Sequence, residues 1–235
     1  MITNSSPLLI ASKVSKTIDD NTQKNQRAQI LNAIDFEAHP NETIAILGRS
    51  GSGKSTLLNI LAGIVDADEG EVHFYGHKLH ELNNKQKTLV RRNHLGYVFQ
   101  FFNLVPTLTV EENIFLPLEL LGKKETNRLQ VEQYISELGL SSLRKRFPNQ
   151  LSGGEQQRVA ILRAISHQPQ IILADEPTGS LDVDTGNQVA DLLFNSVNET
   201  STLIVVTHSE EIAARANSIY ELSRGKLHKR IANSL

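Results

Sequence analysis

Nine consecutive residues beginning at Gly48 have the composition and spacing of a loop that holds phosphate groups. They match the pattern GxxxxGK[ST] and follow a short apolar run, Thr43–Leu47. In such a loop glycines let backbone N–H groups turn towards a β-phosphate, the lysine adds positive charge, and the next hydroxyl can bind Mg²⁺. A turn without a ligand is the alternative. We predict that nucleotide phosphates contact Gly48, Arg49, Ser50, Gly51, Ser52, Gly53, Lys54, Ser55 and Thr56.

Two acidic residues, Asp175 and Glu176, follow a second apolar run, Ile171–Ala174. Acids at the carboxyl end of a parallel strand face the crevice in which open α/β sheets bind ligands. There Asp175 can hold Mg²⁺ through water, and Glu176 can act as general base on an attacking water. A solvated strand end is the alternative, which the phosphate loop in the same chain disfavours.

Gln100 and His208 also follow apolar runs, at residues 95–99 and 203–207. An amide at a strand end can bind Mg²⁺ and the attacking water. Taken alone, however, a surface glutamine and a structural histidine are the more frequent cases. The residues themselves leave both roles open.

The segment LSGGEQQRVAILRA, residues 151–164, predicts a helix that begins with a capping box formed by Ser152 and Glu155. Gly153 and Gly154 fill its first turn, although glycine costs about 1 kcal/mol relative to alanine inside a helix. Bare N–H groups at the positive end of a helix bind anions. The chain thus has a second helix end that could bind phosphate, but only one set of candidate residues for the chemistry on a nucleotide.

The elements that position these residues alternate between strand and helix. Continuous aliphatic strands of this kind indicate a parallel sheet covered on both faces. Strands are predicted at 43–47, 70–77, 95–100, 170–174 and 203–206, helices at 54–63, 184–199 and 210–216, a hairpin tip at 19–26, and a hairpin at 219–228 that turns at Arg224 and Gly225. Residues 8–47 otherwise predict strands and turns. We interpret 1–235 as one domain, with a core of 1–100 and 167–235 and an inserted helical subdomain at 101–166.

The composition excludes several classes of protein. The 235 residues contain no cysteine, so neither a disulfide nor a thiolate metal site can form. A net charge of −2 disfavours a nucleic-acid-binding surface. No apolar run approaches the roughly 20 residues of a membrane-spanning helix, and the first residues lack the features of a signal peptide.

In order and type these motifs resemble those of the ATP-binding cassette (ABC) ATPases over nearly the whole chain. LSGGEQQRVA resembles the ABC signature, which is far more specific than a phosphate loop. The resemblance implies an α/β fold with a mostly parallel sheet, an N-terminal antiparallel β subdomain and a helical signature subdomain. It implies ATP and Mg²⁺ as cofactors and catalytic roles for Glu176, His208 and Gln100. Ser55, Gln100 and Asp175 would hold the metal.

The resemblance also implies a homodimer in the ATP-bound state. Each nucleotide would lie between one chain's phosphate loop and the other chain's signature residues, which are Ser152, Gly153, Gly154 and Glu155. Asp182, in the motif Ser180–Asp182, would contact the second subunit.

GRSGSGKSTLLNILAG and ADEPTGSLD further resemble the group that contains the lipoprotein-releasing, macrolide-efflux and cell-division ATPases. Within that group, the stretches ELLGKK, VTHSEEIAARA and KVSKTIDD resemble YbbA-type subunits. This implies a peripheral subunit at the cytoplasmic face of the bacterial inner membrane, which powers export or extraction through a separate membrane permease with a large extracytoplasmic domain. Residues 101–104, FFNL, are the expected docking surface, unless they belong to the core. Mechanical signalling without a transported substrate is the alternative, and a nucleic-acid-linked ABC protein is disfavoured.

One position departs from the family. ABC ATPases usually have an aromatic residue near the N-terminus that stacks on adenine, and by register with KVSKTI that position is Ile18 or Thr17 here. Stacking of a base on an aromatic ring contributes about 1–3 kcal/mol. We therefore expect a weak adenine contact at Ile18, with lower affinity or looser base selectivity.

Overall fold

The computed structural model describes residues 6–19, 27–122, 128–179 and 181–230. Most of the predicted hairpin tip at 19–26 lies outside the described residues, as does Ser180 of the motif that contains Asp182. Across the described ranges, no helix is both long enough and apolar enough to cross a membrane.

Strands and helices alternate through most of the described chain. The strands are β1 (Leu9–Asp19), β2 (Arg27–Ala38), β3 (Glu42–Leu47), β4 (Glu69–Phe74), β5 (His77–Lys78), β6 (Leu95–Val98), β7 (Ile171–Asp175), β8 (Thr202–Thr207), β9 (Ser218–Ser223) and β10 (Lys226–Lys229). The α-helices are α1 (Lys54–Leu61), α2 (Asn84–His94), α3 (Val110–Leu120), α4 (Arg128–Glu137), α5 (Gly153–Ile165), α6 (Val183–Asn195) and α7 (Glu210–Ala213).

Two sheets organise the fold. The larger has the strand order β10-β9-β3-β8-β7-β6, and its strands are parallel except for β10, which pairs with β9 in an antiparallel hairpin. The smaller is antiparallel, in the order β2-β1-β4-β5. Every residue of β7 and β8 is buried, as expected for parallel strands covered on both faces. The predicted combination of a parallel sheet with an N-terminal antiparallel sheet is confirmed.

Apolar residues of the parallel sheet point alternately into two hydrophobic layers. On one face, Ile171 and Leu173 pack with α1 and the antiparallel sheet. On the other, Ile172 and Ala174 pack with α3, α4, α5 and α6. Because α5 belongs to the same core as the sheet, the described residues of the region 101–166 pack into the core of the sheet rather than into a separate one. The division of the chain into a core and a helical subdomain that spans 101–166 stays a prediction.

One helix was not predicted, and several element boundaries differ from the predictions; for example, β4 ends at Phe74 rather than at residue 77, and α6 ends at Asn195 rather than at residue 199. Helix α2 was not predicted because Val90 is the only apolar residue that it buries, so it has no apolar stripe. Its sequence signal is the capping box formed by Asn83 and Gln86. Strand β6 ends at Val98 rather than at residue 100, because the chain then turns through left-handed residues Phe102 and Asn103.

Candidate functional site

The phosphate loop connects β3 to α1 at the carboxyl edge of the parallel sheet. Gly51 and Gly53 have φ values of 78° and 96°, which favour glycine because a Cβ clashes in this region. A Cβ on Gly48 would lie 2.5 Å from Ser52 Oγ and 2.8 Å from the carbonyl oxygen of Leu222. The loop therefore needs glycine where it turns and where it packs against its neighbours.

Lys54 directs its ammonium group back into this loop. Its side chain is 7% exposed, and Nζ donates hydrogen bonds to the carbonyl oxygens of Gly48 at 2.8 Å and Arg49 at 3.2 Å. The same nitrogen lies 3.5 Å from Glu176 Oε1, across from the end of β7. A buried ammonium held in this way is placed to receive the negative charge of a phosphate.

Asp175, the last residue of β7, is buried beneath the loop. Its Oδ1 has no hydrogen-bond partner among the described residues. Burial raises the pKa of the Asp175 carboxyl, while the Ser55 hydroxyl and the Lys54 ammonium act in the opposite direction. Buried polar atoms are nearly always paired, and Mg²⁺ prefers oxygen ligands. The Asp175 carboxyl group, which interacts with the Ser55 hydroxyl and has an unpaired Oδ1, therefore fits a Mg²⁺ site.

Glu176 has the left-handed φ of 46°, which costs a residue with a side chain about 1–2 kcal/mol. Its backbone N–H donates a 2.9 Å hydrogen bond to the carbonyl oxygen of Val206, which holds the turn in place. Oε2 accepts hydrogen bonds from the Thr207 hydroxyl at 3.2 Å and the His208 N–H at 3.3 Å, and lies 2.9 Å from His208 Nδ1. The carboxylate, which is 12% exposed, is thus fixed, while the His208 ring is 67% exposed.

A cleft of about 1270 Å³ joins these groups, and its lining includes residues 49–56, Gln100, Glu176 and His208. Gln100 is exposed in the turn after β6. Thr207 was not predicted, although a hydroxyl residue at the end of an apolar strand is a recognisable signal. The signature residues 152–155 do not line this cleft.

The signature residues form the N-terminus of α5. Ser152 Oγ accepts a hydrogen bond from the Glu155 N–H at 3.3 Å, and Glu155 Oε2 accepts one from the Ser152 N–H at 2.7 Å, which is the predicted capping box. The hydrogen bonds that the Glu155 carboxylate accepts from the Ser152 N–H and the Ser152 hydroxyl lower its pKa. A Cβ on Gly154 would lie 3.5 Å from Leu181 Cδ2, and one on Gly153 would lie 3.8 Å from Phe102 Cζ. The two glycines thus lie in ordinary contact distance of their own chain.

Further along, α5 holds two segments that follow site residues. The Arg163 guanidinium donates hydrogen bonds to the carbonyl oxygens of Phe102 at 2.9 Å and Asn103 at 2.8 Å, just after Gln100. Gln157, 1% exposed, donates to the carbonyl oxygen of Pro177 at 2.9 Å, just after Glu176. Arg163 and Gln157 were not predicted, because nothing in the local sequence shows that they reach these loops.

The two remaining predicted contact residues, Ile18 and Asp182, lie apart from each other. Ile18 lines the cleft and is 51% exposed. Asp182 caps α6, where its Oδ1 accepts a 3.0 Å hydrogen bond from the Thr185 N–H and its pKa is lowered.

A family model described as ABC transporter matches residues 31–179.

Comparison with known proteins gives full-length similarities. The YbbA protein of Escherichia coli K12, named as an uncharacterised ABC transporter ATP-binding protein, is 44% identical over 88% of this chain and 92% of its own. The lipoprotein-releasing system protein LolD of Hahella chejuensis is 40% identical over 98% and 100%. The dimeric cassette MJ0796, solved in a post-hydrolysis state with ADP and Pi, superposes with a TM-score of 0.84 at 34% identity, covering 97% and 100% of the chains.

Proposed function

The chain belongs to the family of ABC transporter ATP-binding proteins, which are ATPases, and from this premise we propose that two copies enclose two ATP molecules and drive a separate membrane permease. One observation supports the shared site most directly. The phosphate loop, Gln100, Glu176 and His208 line one cleft, whereas the signature residues 152–155 of the same chain lie outside it. A dimer in which each signature covers the other chain's cleft would complete both sites, and the relative MJ0796 is described as dimeric.

In this proposal the residues have separate tasks. Lys54 leaves its carbonyl partners to pair with the β- and γ-phosphates, which the loop N–H groups also bind. Glu176, held by Thr207 and His208, orients the attacking water and takes its proton. The exposed His208 ring contacts the γ-phosphate, and Gln100 orients the water from the cleft rim.

Mg²⁺ would be held by Ser55, Gln100 and Asp175. When bound, the ion neutralises charge that develops on the phosphate oxygens. The unpaired Oδ1 of Asp175 is the observation that supports this assignment. The N-terminus of α5 in the second chain would face the γ-phosphate, through Ser152, Gly153 and Gly154. Glu155 would keep this helix end capped. Asp182 would contact the partner chain.

The relatives support a permease partner and a location at a membrane. LolD is named for a lipoprotein-releasing system, and the family model is that of ABC transporters. We propose that the chain binds peripherally at the cytoplasmic face of a bacterial inner membrane, on a permease with a large extracytoplasmic domain. Phe101, which is 79% exposed, supports docking near the cleft rim, whereas the partly buried Leu104 packs against the core.

We expect Phe101→Asp to lower recovery of the permease in co-purification, because it places a charge on an exposed apolar side chain at the proposed interface. Leu89→Asp is the matched control, since Leu89 is also an exposed apolar residue, at 41%, but lies on α2. ATP turnover of each isolated variant is measured in parallel to verify the fold. Equal permease recovery with both variants would contradict docking at this surface.

A further inference from the structure

At one end of the cleft, the weak contact predicted for Ile18 is the only partner assigned so far to the nucleotide among the described residues. β9 and β3 are parallel neighbours, so the turn after β9 lies at the same sheet edge as the phosphate loop. The strands that lead to His208, Glu176 and Gln100 lie on the other side of β3. A nucleotide whose γ-phosphate faces those three residues therefore has its nucleoside end beside the β9–β10 turn.

The wall at this end contains no aromatic ring among the residues described. It is formed by β1, β2 and the β9–β10 turn, and its members are Ile18, Ala28, Gln29, Ile30, Arg224 and Gly225. The aromatic residues in the described lining, Phe101 and Phe102, both follow Gln100 on the catalytic side. Within this wall, Arg224 has the one charged side chain, and its guanidinium is flat.

The turn is fixed against the phosphate loop through β2. The carbonyl oxygen of Gly225 accepts a 2.8 Å hydrogen bond from the Asn32 N–H, and a Cβ on Gly225 would lie 3.0 Å from the carbonyl oxygen of Ile30. On its other side, Ile30 Cγ2 would lie 2.6 Å from a Cβ on Gly53 of the phosphate loop. The position of Arg224 is therefore set relative to bound phosphate.

Arginine is not the residue that this turn favours. Arg224 and Gly225 form a two-residue loop with φ values of 51° and 73°. Positive φ at both positions is the requirement of a type I′ turn, which strongly prefers Asn-Gly or Asp-Gly. Arg224 forms no salt bridge or side-chain hydrogen bond with any described residue. Among the described residues, no side-chain hydrogen bond or salt bridge of Arg224 therefore offsets the free-energy cost of its backbone conformation.

We propose that Arg224 binds the purine base of ATP by stacking its guanidinium plane on the ring, in place of an aromatic side chain, which the described residues of this wall do not provide. The inference rests on the proposed function, because it requires a γ-phosphate that faces Glu176. A guanidinium is planar, weakly hydrated and attracted to the face of a π system. Ile18, on the neighbouring strand, would add an apolar contact to the same base.

The test compares ATP with inorganic tripolyphosphate, which has the phosphates but no base. Arg224→Asn removes the guanidinium and gives the turn its preferred residue, so the hairpin should remain folded. We expect this variant to bind ATP about tenfold more weakly, a difference of about 1.4 kcal/mol, and to bind tripolyphosphate as the wild-type chain does. Titration calorimetry on the full chain measures both dissociation constants.

Two controls separate the possible contacts. Lys226→Asn removes a positive charge from the same hairpin outside the cleft lining and should change neither affinity. Arg224→Lys keeps the positive charge but lacks the planar guanidinium group, and it should bind ATP nearly as weakly as Arg224→Asn.

Equal losses of ATP and tripolyphosphate affinity in Arg224→Asn would show that Arg224 contacts phosphate, and unchanged ATP affinity would show that it does not contact the nucleotide. Either result overturns the inference, whereas a wild-type chain that failed to bind ATP would overturn the proposed function.

Ile18→Tyr gives an independent check of where the base lies. A tyrosine at this half-exposed position of the wall should raise ATP affinity about tenfold, because the base can then stack on an aromatic ring. With the tyrosine ring supplying the stacking surface, Arg224→Asn should cost less ATP affinity in the Ile18→Tyr background than it does in the wild-type background. Unchanged ATP affinity and an unchanged ATP/GTP ratio in Ile18→Tyr would contradict a base bound at this wall.

Discussion

Glu176→Gln is expected to bind ATP as the wild-type chain does and to hydrolyse it at least about 100-fold more slowly, because a positioned general base contributes roughly 10²–10⁴-fold. The amide has nearly the same shape and can still accept hydrogen bonds from Thr207 and the His208 N–H. It cannot take the proton of the attacking water. The substitution also removes the negative charge 3.5 Å from Lys54 Nζ, which leaves that ammonium free to pair with phosphate.

Phosphate release measures the turnover of this variant, and sedimentation with and without ATP measures its dimerisation. We expect an ATP-dependent dimer to accumulate, since two bound nucleotides would hold the chains together until they are hydrolysed. Glu199→Gln is the matched control, because Glu199 is an exposed carboxylate between α6 and β8, at the amino edge of the sheet. Native turnover in Glu176→Gln would contradict its assignment as the base.

The parts of the site that follow apolar strands could be predicted from the sequence. A phosphate loop, an acidic pair and a histidine at the ends of buried strands must meet at one sheet edge once those strands are parallel. The structure places them so, with Glu176 2.9 Å from His208 Nδ1 and 3.5 Å from Lys54 Nζ. The local sequence was sufficient here because parallel strands end at the same edge of the sheet, so the residues that follow these strands in the sequence lie close together in space.

Features that depend on the interior or on backbone conformation could not be predicted in this way. Helix α2 buries too few apolar residues to give a helical period. Arg163 and Gln157 act on loops distant in sequence, and the carbonyl groups that they bind have no side-chain signal. Arg224 was predicted as a turn residue, but its place in the cleft wall depends on the packing of that turn against β2.

Ser152→Arg is expected to leave ATP binding to the single chain unchanged and to reduce hydrolysis by about 100-fold or more, the loss typical of removing preorganised charge stabilisation. Ser152 lies outside the cleft of its own chain, so a larger side chain there does not meet its own nucleotide. In the proposed dimer the arginine would occupy the space that the partner's γ-phosphate approaches. In Glu176→Gln, the added Ser152→Arg should abolish the ATP-dependent dimer while ATP binding persists.

The loss of the helix cap must be separated from the loss of the shared site. Ser152→Arg removes an N-cap that contributes about 1 kcal/mol of stability. Thr109→Arg removes the equivalent cap of α3, where Thr109 and Glu112 form the same capping box. We expect the two variants to unfold at similar temperatures, but only Ser152→Arg to lose hydrolysis. Equal losses of hydrolysis would attribute the effect to general destabilisation.

Mixing Ser152→Arg with Glu176→Gln tests whether each site belongs to two chains. In a mixed dimer, the phosphate loop and Glu176 of the Ser152→Arg chain face the intact signature of the Glu176→Gln chain, so one complete site forms. The other site has both defects. If signature and phosphate loop act within one chain, neither partner can repair the other. Turnover in the mixture above that of either variant alone therefore supports the shared site, and its absence contradicts it.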